Sequence, residues 1–168
     1  MVTKTFDNLK AIKQKQVYDA LVEEFTTYAL VDAQVARIIK RADISRGSFY
    51  TYFTDLNDAY KWVFSQVMRD VHVHRDLDSI VQMVQNQPKV YQFLQKYYQI
   101  NEQFLALHDE AFAQSLRPRL LREDASEAET KGWLAMQSAH GLMRNFFLYP
   151  DREAEIKTTY KKINQLLS

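Results

Sequence analysis

The chain has 168 residues, a formal net charge of +1 and no cysteine. The absence of cysteine excludes disulfides, thiolate nucleophiles and cysteine-ligated metals, and a chain of this length can bury well over half of its unfolded surface without such cross-links. No stretch of eighteen uncharged apolar residues occurs, so we expect neither a membrane span nor an export signal and place the protein in the cytoplasm.

An all-α fold is expected, because only three glycines and three prolines interrupt a chain rich in helix-forming residues. The first helix is predicted over residues 10–28, where Val17, Leu21 and Phe25 recur every three or four positions. This spacing is typical of an amphipathic helix that buries one face.

Two short helices are predicted next. Asp32 is expected to cap the second helix, over residues 35–42, and Ser45 to cap the third, which extends to Tyr52. Only residues 43–44 separate the two, and this spacing indicates a helix-turn-helix.

The fourth helix is predicted to be long. Asp55 and Asp58 form a capping pair at its start, and it is expected to fade near residues 76–78. Pro88 then opens an aromatic helix, which is expected to run, or to kink, onward to Leu116.

The C-terminal helices are predicted from the residues that start, interrupt or end them. Asn101 interrupts the apolar face of the aromatic helix. Ser126 and Glu129 form a capping box before a helix that Pro150 ends, and Asp151 is expected to cap the last helix.

Positive charge is concentrated in two segments that bracket the predicted helix-turn-helix. Residues 1–16 carry four Lys or Arg against one Asp, and so do residues 37–46. Clustering of this kind suits a nucleic-acid surface, although a basic stretch is more often a solvated helix face.

The start of the third helix has the chemistry of a major-groove reader. A helix N-terminus offers free N–H groups to phosphates, and Gly47 has no side chain to keep the backbone away. Arg46 could bind a guanine edge through two hydrogen bonds or clamp a phosphate, and the residues leave this choice open.

The aromatic residues of the third helix divide between two sides. Phe49 and Phe53 are four apart and are predicted to face inward. Tyr50 and Tyr52 are two apart and point to different sides, and both are expected near DNA.

Residues 37–60, RIIKRADISRGSFYTYFTDLNDAY, resemble the signature of the TetR family of transcriptional regulators. The resemblance lies in the alanine, the small turn, the serine cap, the Gly-Ser-Phe-Tyr core and the closing Tyr-x-Phe. It implies a helix-turn-helix DNA-binding domain at residues 1–54 and a helical effector-binding and dimerisation domain at residues 55–168. It also implies that the final two helices form a homodimer.

The resemblance places a set of residues at DNA. Gln34 stands where a phosphate-binding threonine is common, Arg46 and Ser48 take base-facing positions, and Tyr50 takes a phosphate-binding position. The full predicted DNA-binding set is Gln34, Arg37, Arg46, Gly47, Ser48, Tyr50, Thr51 and Tyr52.

Three positions depart from the family pattern. Asp43 replaces the usual turn glycine, which is tolerable because Asp visits left-handed geometry more readily than most residues. Ile39 replaces a common alanine, and Leu56 stands where a phosphate-binding lysine is frequent. Other cations are therefore expected to contact the DNA backbone: Lys10, Lys13, Lys40 or Arg41.

Two further sets are predicted in residues 55–168, which are called the body below. An apolar effector pocket with a few polar groups is expected from Phe93, Tyr97, Phe104, Trp133, His140 and Arg144. A dimer interface is expected from Ala135, Ala139, Phe146, Ile156, Tyr160, Ile163 and Leu167. For both sets the alternative is that these side chains fill the core of the single chain.

Enzymatic and metal chemistry are not expected. The sequence has no Gly-rich phosphate loop and no GxSxG motif. His72 and His74 diverge on a helix, and His108 and His140 have no partner at the spacing of metal ligands. We therefore predict no enzyme, no metal and no cofactor.

The sequence thus predicts a repressor that binds a near-palindromic double-stranded DNA operator and that a small effector of unknown identity releases. An activator, or a ligand-independent DNA-binding protein of the same fold, is the first alternative. A helical interaction module that does not bind DNA is the second.

Overall fold

A computed structural model describes residues 3–73 and 76–167, and these residues form helices and connections without any strand. The all-α prediction is confirmed. The helices of the N-terminal part are α1 (Lys4–Asp7), α2 (Ala11–Thr27), α3 (Val35–Ala42), α4 (Arg46–Tyr52) and α5 (Leu56–Val73). Those that follow are α6 (Leu77–Gln85), α7 (Pro88–Lys96), α8 (Glu102–His108), α9 (Glu110–Ser115), α10 (Glu127–Leu148) and α11 (Glu153–Leu167).

Three of the predicted helix starts are confirmed by hydrogen bonds. The Ser48 N–H donates to Ser45 Oγ at 2.9 Å at the start of α4. The Asp58 N–H donates to Asp55 Oδ1 at 2.7 Å at the start of α5. Ser126 and Glu129 form the complete capping box at the start of α10.

The predicted caps at Asp32 and Asp151 are wrong. Asp32 lies in a 3-10 turn, Leu30–Asp32, and α3 begins after Gln34 instead. Asp151 lies in a second 3-10 turn, Pro150–Arg152, directly before α11. In both places the aspartate that the sequence pattern assigns to the helix cap lies within a 3-10 turn instead.

Helix α6 is absent from the sequence prediction. The long fourth helix ends at Val73, and Asp76 caps a new helix by accepting the Ser79 N–H at 2.9 Å. Leu77, Val81 and Val84 are buried on its inner face. A nine-residue helix has little more than two turns. In the sequence, an apolar pattern this short cannot be distinguished from a continuation of α5.

A five-residue π turn, Tyr97–Asn101, joins α7 to α8. Four buried residues follow one another at intervals of four positions here: Phe93, Tyr97, Asn101 and Leu105. In an α-helix of 3.6 residues per turn, each such step drifts by about 40°, so the four would spread over about 120°. The wider π turn reverses part of that drift and keeps them facing the core.

The core runs from the N-terminal helices into the body. Tyr60 on α5 lies between Phe25 of α2 and Phe93 of α7, with ring centroids 4.9 Å and 5.0 Å away. The proposed boundary at residues 54 and 55 is therefore crossed by continuous aromatic packing. No helix in the described part of the chain is long and apolar enough to cross a membrane.

Candidate nucleic-acid interface

The turn between α3 and α4 is held by a lysine side chain of α2. Asp43 has the left-handed backbone that the sequence predicts, with φ of 50°. The Lys13 ammonium donates to the carbonyl oxygens of Ala42 and Asp43 at 3.1 Å and 2.7 Å. Lys13 therefore caps α3 and is not a free cation for DNA. The other basic side chains expected at the DNA backbone are all exposed: Lys10, Lys40 and Arg41.

Helix α4 presents one polar and basic face to solvent. Phe49 and Phe53 are fully buried, as the spacing predicts, whereas Arg46, Tyr50 and Thr51 are exposed. The Arg46 guanidinium lies 5.5 Å from the centre of the Tyr50 ring, and its Nη2 is 3.4 Å from the Tyr50 hydroxyl. A cation and a phenol are thus held side by side one helical turn apart.

The hydroxyl groups of α4 are partly engaged within the helix. Ser48 Oγ lies 2.8 Å from Ser45 Oγ, and Thr51 Oγ1 donates to the Gly47 carbonyl at 3.0 Å. Both bonds are at the surface, so DNA acceptors can replace them at little cost.

Tyr52, which was predicted as a DNA contact, lies on the inner side of α4. Only 8% of its surface is exposed, and its ring packs edge-on against Phe6 at 5.3 Å. The Thr3 N–H donates to the Tyr52 carbonyl at 3.3 Å, and Thr3 Oγ1 donates to the Thr51 carbonyl at 2.7 Å. The segment around α1 therefore holds the C-terminal end of α4.

Arg37 has a structural partner that the sequence analysis did not find. Its guanidinium donates to both carboxylate oxygens of the buried Glu24, at 2.6–3.0 Å, and to the Asp32 carbonyl at 2.8 Å. The same carboxylate accepts the Gln34 N–H at 2.8 Å and so caps α3. Arg37 thereby positions the helix-turn-helix, while the Gln34 side chain is exposed.

A signal for Glu24 exists in the sequence. It falls on the apolar stripe of α2 that contains Val17 and Leu21, and all three are buried. A carboxylate on such a stripe must be paired, because an unpaired buried charge is too costly. Its partner, thirteen residues away, becomes evident only in the fold.

Gly47 is not required by the fold. A Cβ built on it would meet only Ser45 Oγ, at 3.7 Å, an ordinary contact. We expect Gly47→Ala to leave stability unchanged or to raise it by up to about 1 kcal/mol, since Ala is the better helix former. If Gly47 lies against DNA as the sequence predicts, the added methyl would meet the duplex, and we expect duplex binding to fall by at least about fivefold, close to 1 kcal/mol.

Thermal unfolding and a binding titration together check this prediction. Gly132→Ala is the matched control, because Gly132 also lies in a helix and nothing is within 4 Å of its Cβ position. It should stabilise without changing DNA affinity. Equal affinities for both variants would remove Gly47 from the interface.

The predicted effector residues do not line one common cavity. Phe93 and Tyr97 are buried in the core. Phe104 stacks on His108, and the Trp133 indole N–H donates to the Arg119 carbonyl at 2.6 Å. The aromatic residues of this set therefore pack against, or bond to, other residues of the same chain.

Arg144 forms an ion pair with Glu102 and lies 5.8 Å from the centre of the Tyr98 ring. Burial, followed by the charge of Glu102, raises the pKa of Tyr98 to about 12. His140 is exposed and lines a cavity of about 150 Å³ between α5, α6, α10 and α11, together with His72.

The predicted dimer residues lie largely on the inner side of α10 and α11. Phe146 and Ile156 are 2% and 6% exposed within the single chain, so they belong to its core. Ala139 and Tyr160 line the cavity between these helices and the body. Three members remain half-buried: Ala135, Ile163 and Leu167.

No group of three or more His, Asp or Glu side chains within residues 3–73 and 76–167 could hold a metal ion. His74 lies outside the described residues.

Comparison with known proteins supports the fold. No protein-family model matches the sequence, and no curated protein is significantly similar to it. Among solved structures, the chain is similar to a TetR family transcriptional regulator from Chloroflexus aurantiacus J-10-FL, with 22% identity and a TM-score of 0.50. The match covers 99% of this chain and 95% of the other. The chain therefore has the fold of this TetR family regulator.

Proposed function

We propose that the protein is a TetR-type transcriptional regulator that binds double-stranded DNA by inserting α4 into the major groove. The observation that carries the proposal is the outer face of α4. It combines Arg46, Tyr50 and Thr51 at the surface of a short helix that a buried aromatic cluster fixes in place. The family resemblance of residues 37–60 and the shared fold support the same function.

Arg46 and Tyr50 have different roles in this proposal. We expect Arg46→Ala to weaken binding of the best duplex by ~1–3 kcal/mol and, where Arg46 reads a base, to relax the preference at one position. Tyr50→Phe should weaken all duplexes about equally, because a phosphate contact carries no sequence information. Selection of duplexes from a random pool, followed by titration at several salt concentrations, measures both effects.

Affinity should also fall steeply as salt rises, because each phosphate that the protein neutralises releases counterions. A flat salt response, or no binding to any duplex at low salt, would reject the proposal and favour a helical interaction module. The matched control is Lys161→Ala, an exposed cation on α11, which should leave the affinity unchanged.

The DNA-binding domain, residues 1–54, is called the head below. Two heads are proposed to read a near-palindromic operator as a homodimer, since a twofold protein matches a twofold site. The face of α10 that points away from the body is the proposed contact. It carries the exposed Leu134, Gly141 and Asn145, and the half-buried Ser138 and Leu148.

The proposed role is repression that a small effector releases by favouring a conformation whose heads no longer fit the operator. The size of that shift is limited by the difference in the effector's affinity for the two conformations. Deleting the gene distinguishes the alternatives: expression of the target should rise for a repressor and fall for an activator.

A further inference from the structure

The amide of Asn101 joins the body to the two chain segments that flank the helix-turn-helix, one before α3 and one after α4. It is fully buried. Its Oδ1 accepts the Leu30 N–H at 2.9 Å, and its Nδ2 donates to the Tyr60 hydroxyl at 3.2 Å. Leu30 begins the 3-10 turn that leads into α3, and Tyr60 lies in the second turn of α5, which follows α4.

The π turn is what brings Asn101 to this place. In an uninterrupted α-helix, a side chain four residues beyond Tyr97 would be rotated by about 40° from it. The π turn places Tyr97 and Asn101 on the same buried face. A return of this turn to α-helical geometry would rotate Asn101 away from both partners at once.

The other contacts between head and body are of different kinds. Phe25, Tyr60 and Phe93 pack through their rings, and such packing has little directional preference. The Lys89–Glu23 ion pair and the bond from Lys96 to the Thr27 carbonyl lie near the surface of α2. Among residues 3–73 and 76–167, the Asn101 amide provides a fully buried directional contact to the segment before α3.

Both partners need the amide. The Tyr60 hydroxyl is buried and its oxygen accepts the Asn101 amide N–H, so loss of the amide leaves that oxygen without this donor. The Leu30 N–H is buried as well, and an unpaired buried donor is costly.

We propose that Asn101 is the positioning residue that fixes the orientation of the DNA-binding head on the body. Only the DNA measurement below rests on the proposed function. The orientation itself can be measured without DNA.

The chain has no cysteine, so two spin labels can be placed cleanly in the full-length protein. Ala36→Cys labels the exposed side of α3 and Lys161→Cys labels the exposed side of α11. Mixing with an excess of unlabelled protein restricts the measured distance to one chain. We expect Asn101→Leu, which keeps the size but loses both bonds, to shift or broaden the distance distribution clearly.

Val84→Ala is the control, because Val84 is buried in α6 and lies within the body. Each variant is measured at the same number of degrees below its own melting temperature. Under these conditions Val84→Ala should keep the wild-type distribution of label distances. An unchanged distribution in Asn101→Leu, or equal broadening in both variants, would overturn the proposal. Should Asn101→Leu fail to fold, Tyr60→Phe removes the hydroxyl alone and should give a smaller shift in the same direction.

Duplex affinity gives the second readout. Asn101→Leu should bind the selected duplex at least about tenfold more weakly than Val84→Ala, although Asn101 itself is buried away from solvent. Wild-type affinity in Asn101→Leu would count against the proposal. If the wild-type protein binds no duplex, the proposed function fails, and the label distances still decide the role of Asn101.

Discussion

Replacing Glu24 with alanine is expected to lower the free energy of unfolding by about 3 kcal/mol. The carboxylate is fully buried, and its loss leaves the Gln34 N–H without an acceptor and the Arg37 guanidinium without its counter-ion. The Arg37 side chain is 30% exposed and can recover some hydration, so the effect lies at the lower end for a broken buried ion pair. Chemical denaturation measures it directly.

Two variants separate the causes of this effect. Glu24→Gln keeps the volume and an oxygen that can accept the Gln34 N–H, so it should cost clearly less than Glu24→Ala. Asp19→Ala breaks the Lys15–Asp19 pair on the same helix, where the side chains are 74% and 53% exposed. It should cost no more than about 0.5 kcal/mol. A cost as small as this for Glu24→Ala would mean that the buried pair does not hold α3.

The sequence is informative wherever structure depends on neighbouring residues. Ser45, Asp55 and Ser126 each cap a helix through a bond that spans three residues, and each was predictable from spacing alone. The inward side of Phe49 follows for the same reason, whereas the left-handed turn at Asp43 follows from the family resemblance, which places a turn glycine there. These local rules are enough to place the helix-turn-helix and to identify most of its outer face.

The sequence is less informative where distant segments meet. Arg37 and Tyr52 have the right types and positions for DNA contacts, yet Glu24 and Phe6 from earlier helices take them into the head. No local pattern fixes such pairings. Asn101 is similar, because its polarity marks an interruption in the sequence while its partner Leu30 lies 71 residues away.

The stripe of α11 illustrates a different ambiguity. Ile156 and Tyr160 repeat at a spacing that suits packing on another helix, and this spacing says nothing about which chain supplies that helix. In the structure Ile156 is buried and lines a groove with Leu142 of α10, and Tyr160 lines the cavity between α10, α11 and the body. The side of α10 that remains for a partner is then the opposite one, which carries Leu134 and Gly141.

If the proposed homodimer joins through this outer face of α10, Gly141→Arg is expected to convert it into monomers and to lower operator affinity by about a hundredfold or more. Nothing lies within 4 Å of the Cβ position of Gly141, so the single chain has room for the new side chain. A second copy packed closely on this face would leave no room for the arginine side chain, and its charge would be buried without a partner. Two linked heads can exceed the affinity of one by a factor of about 10² to 10⁴, and this gain is lost in the monomer.

Gly132→Arg tests the competing position of the interface. Gly132 lies nine residues, or two and a half helical turns, before Gly141 on α10. It is therefore on the opposite side of the helix from Gly141, the side that carries Ala135 and Ala139. Sedimentation and duplex titration of both variants distinguish the two possible interfaces, because each interface predicts that a different variant is monomeric. If the outer face joins the protomers, Gly141→Arg is monomeric and Gly132→Arg remains a dimer with wild-type affinity. The reverse result would return the interface to Ala135 and Ala139, and two dimeric variants would place it away from α10 altogether.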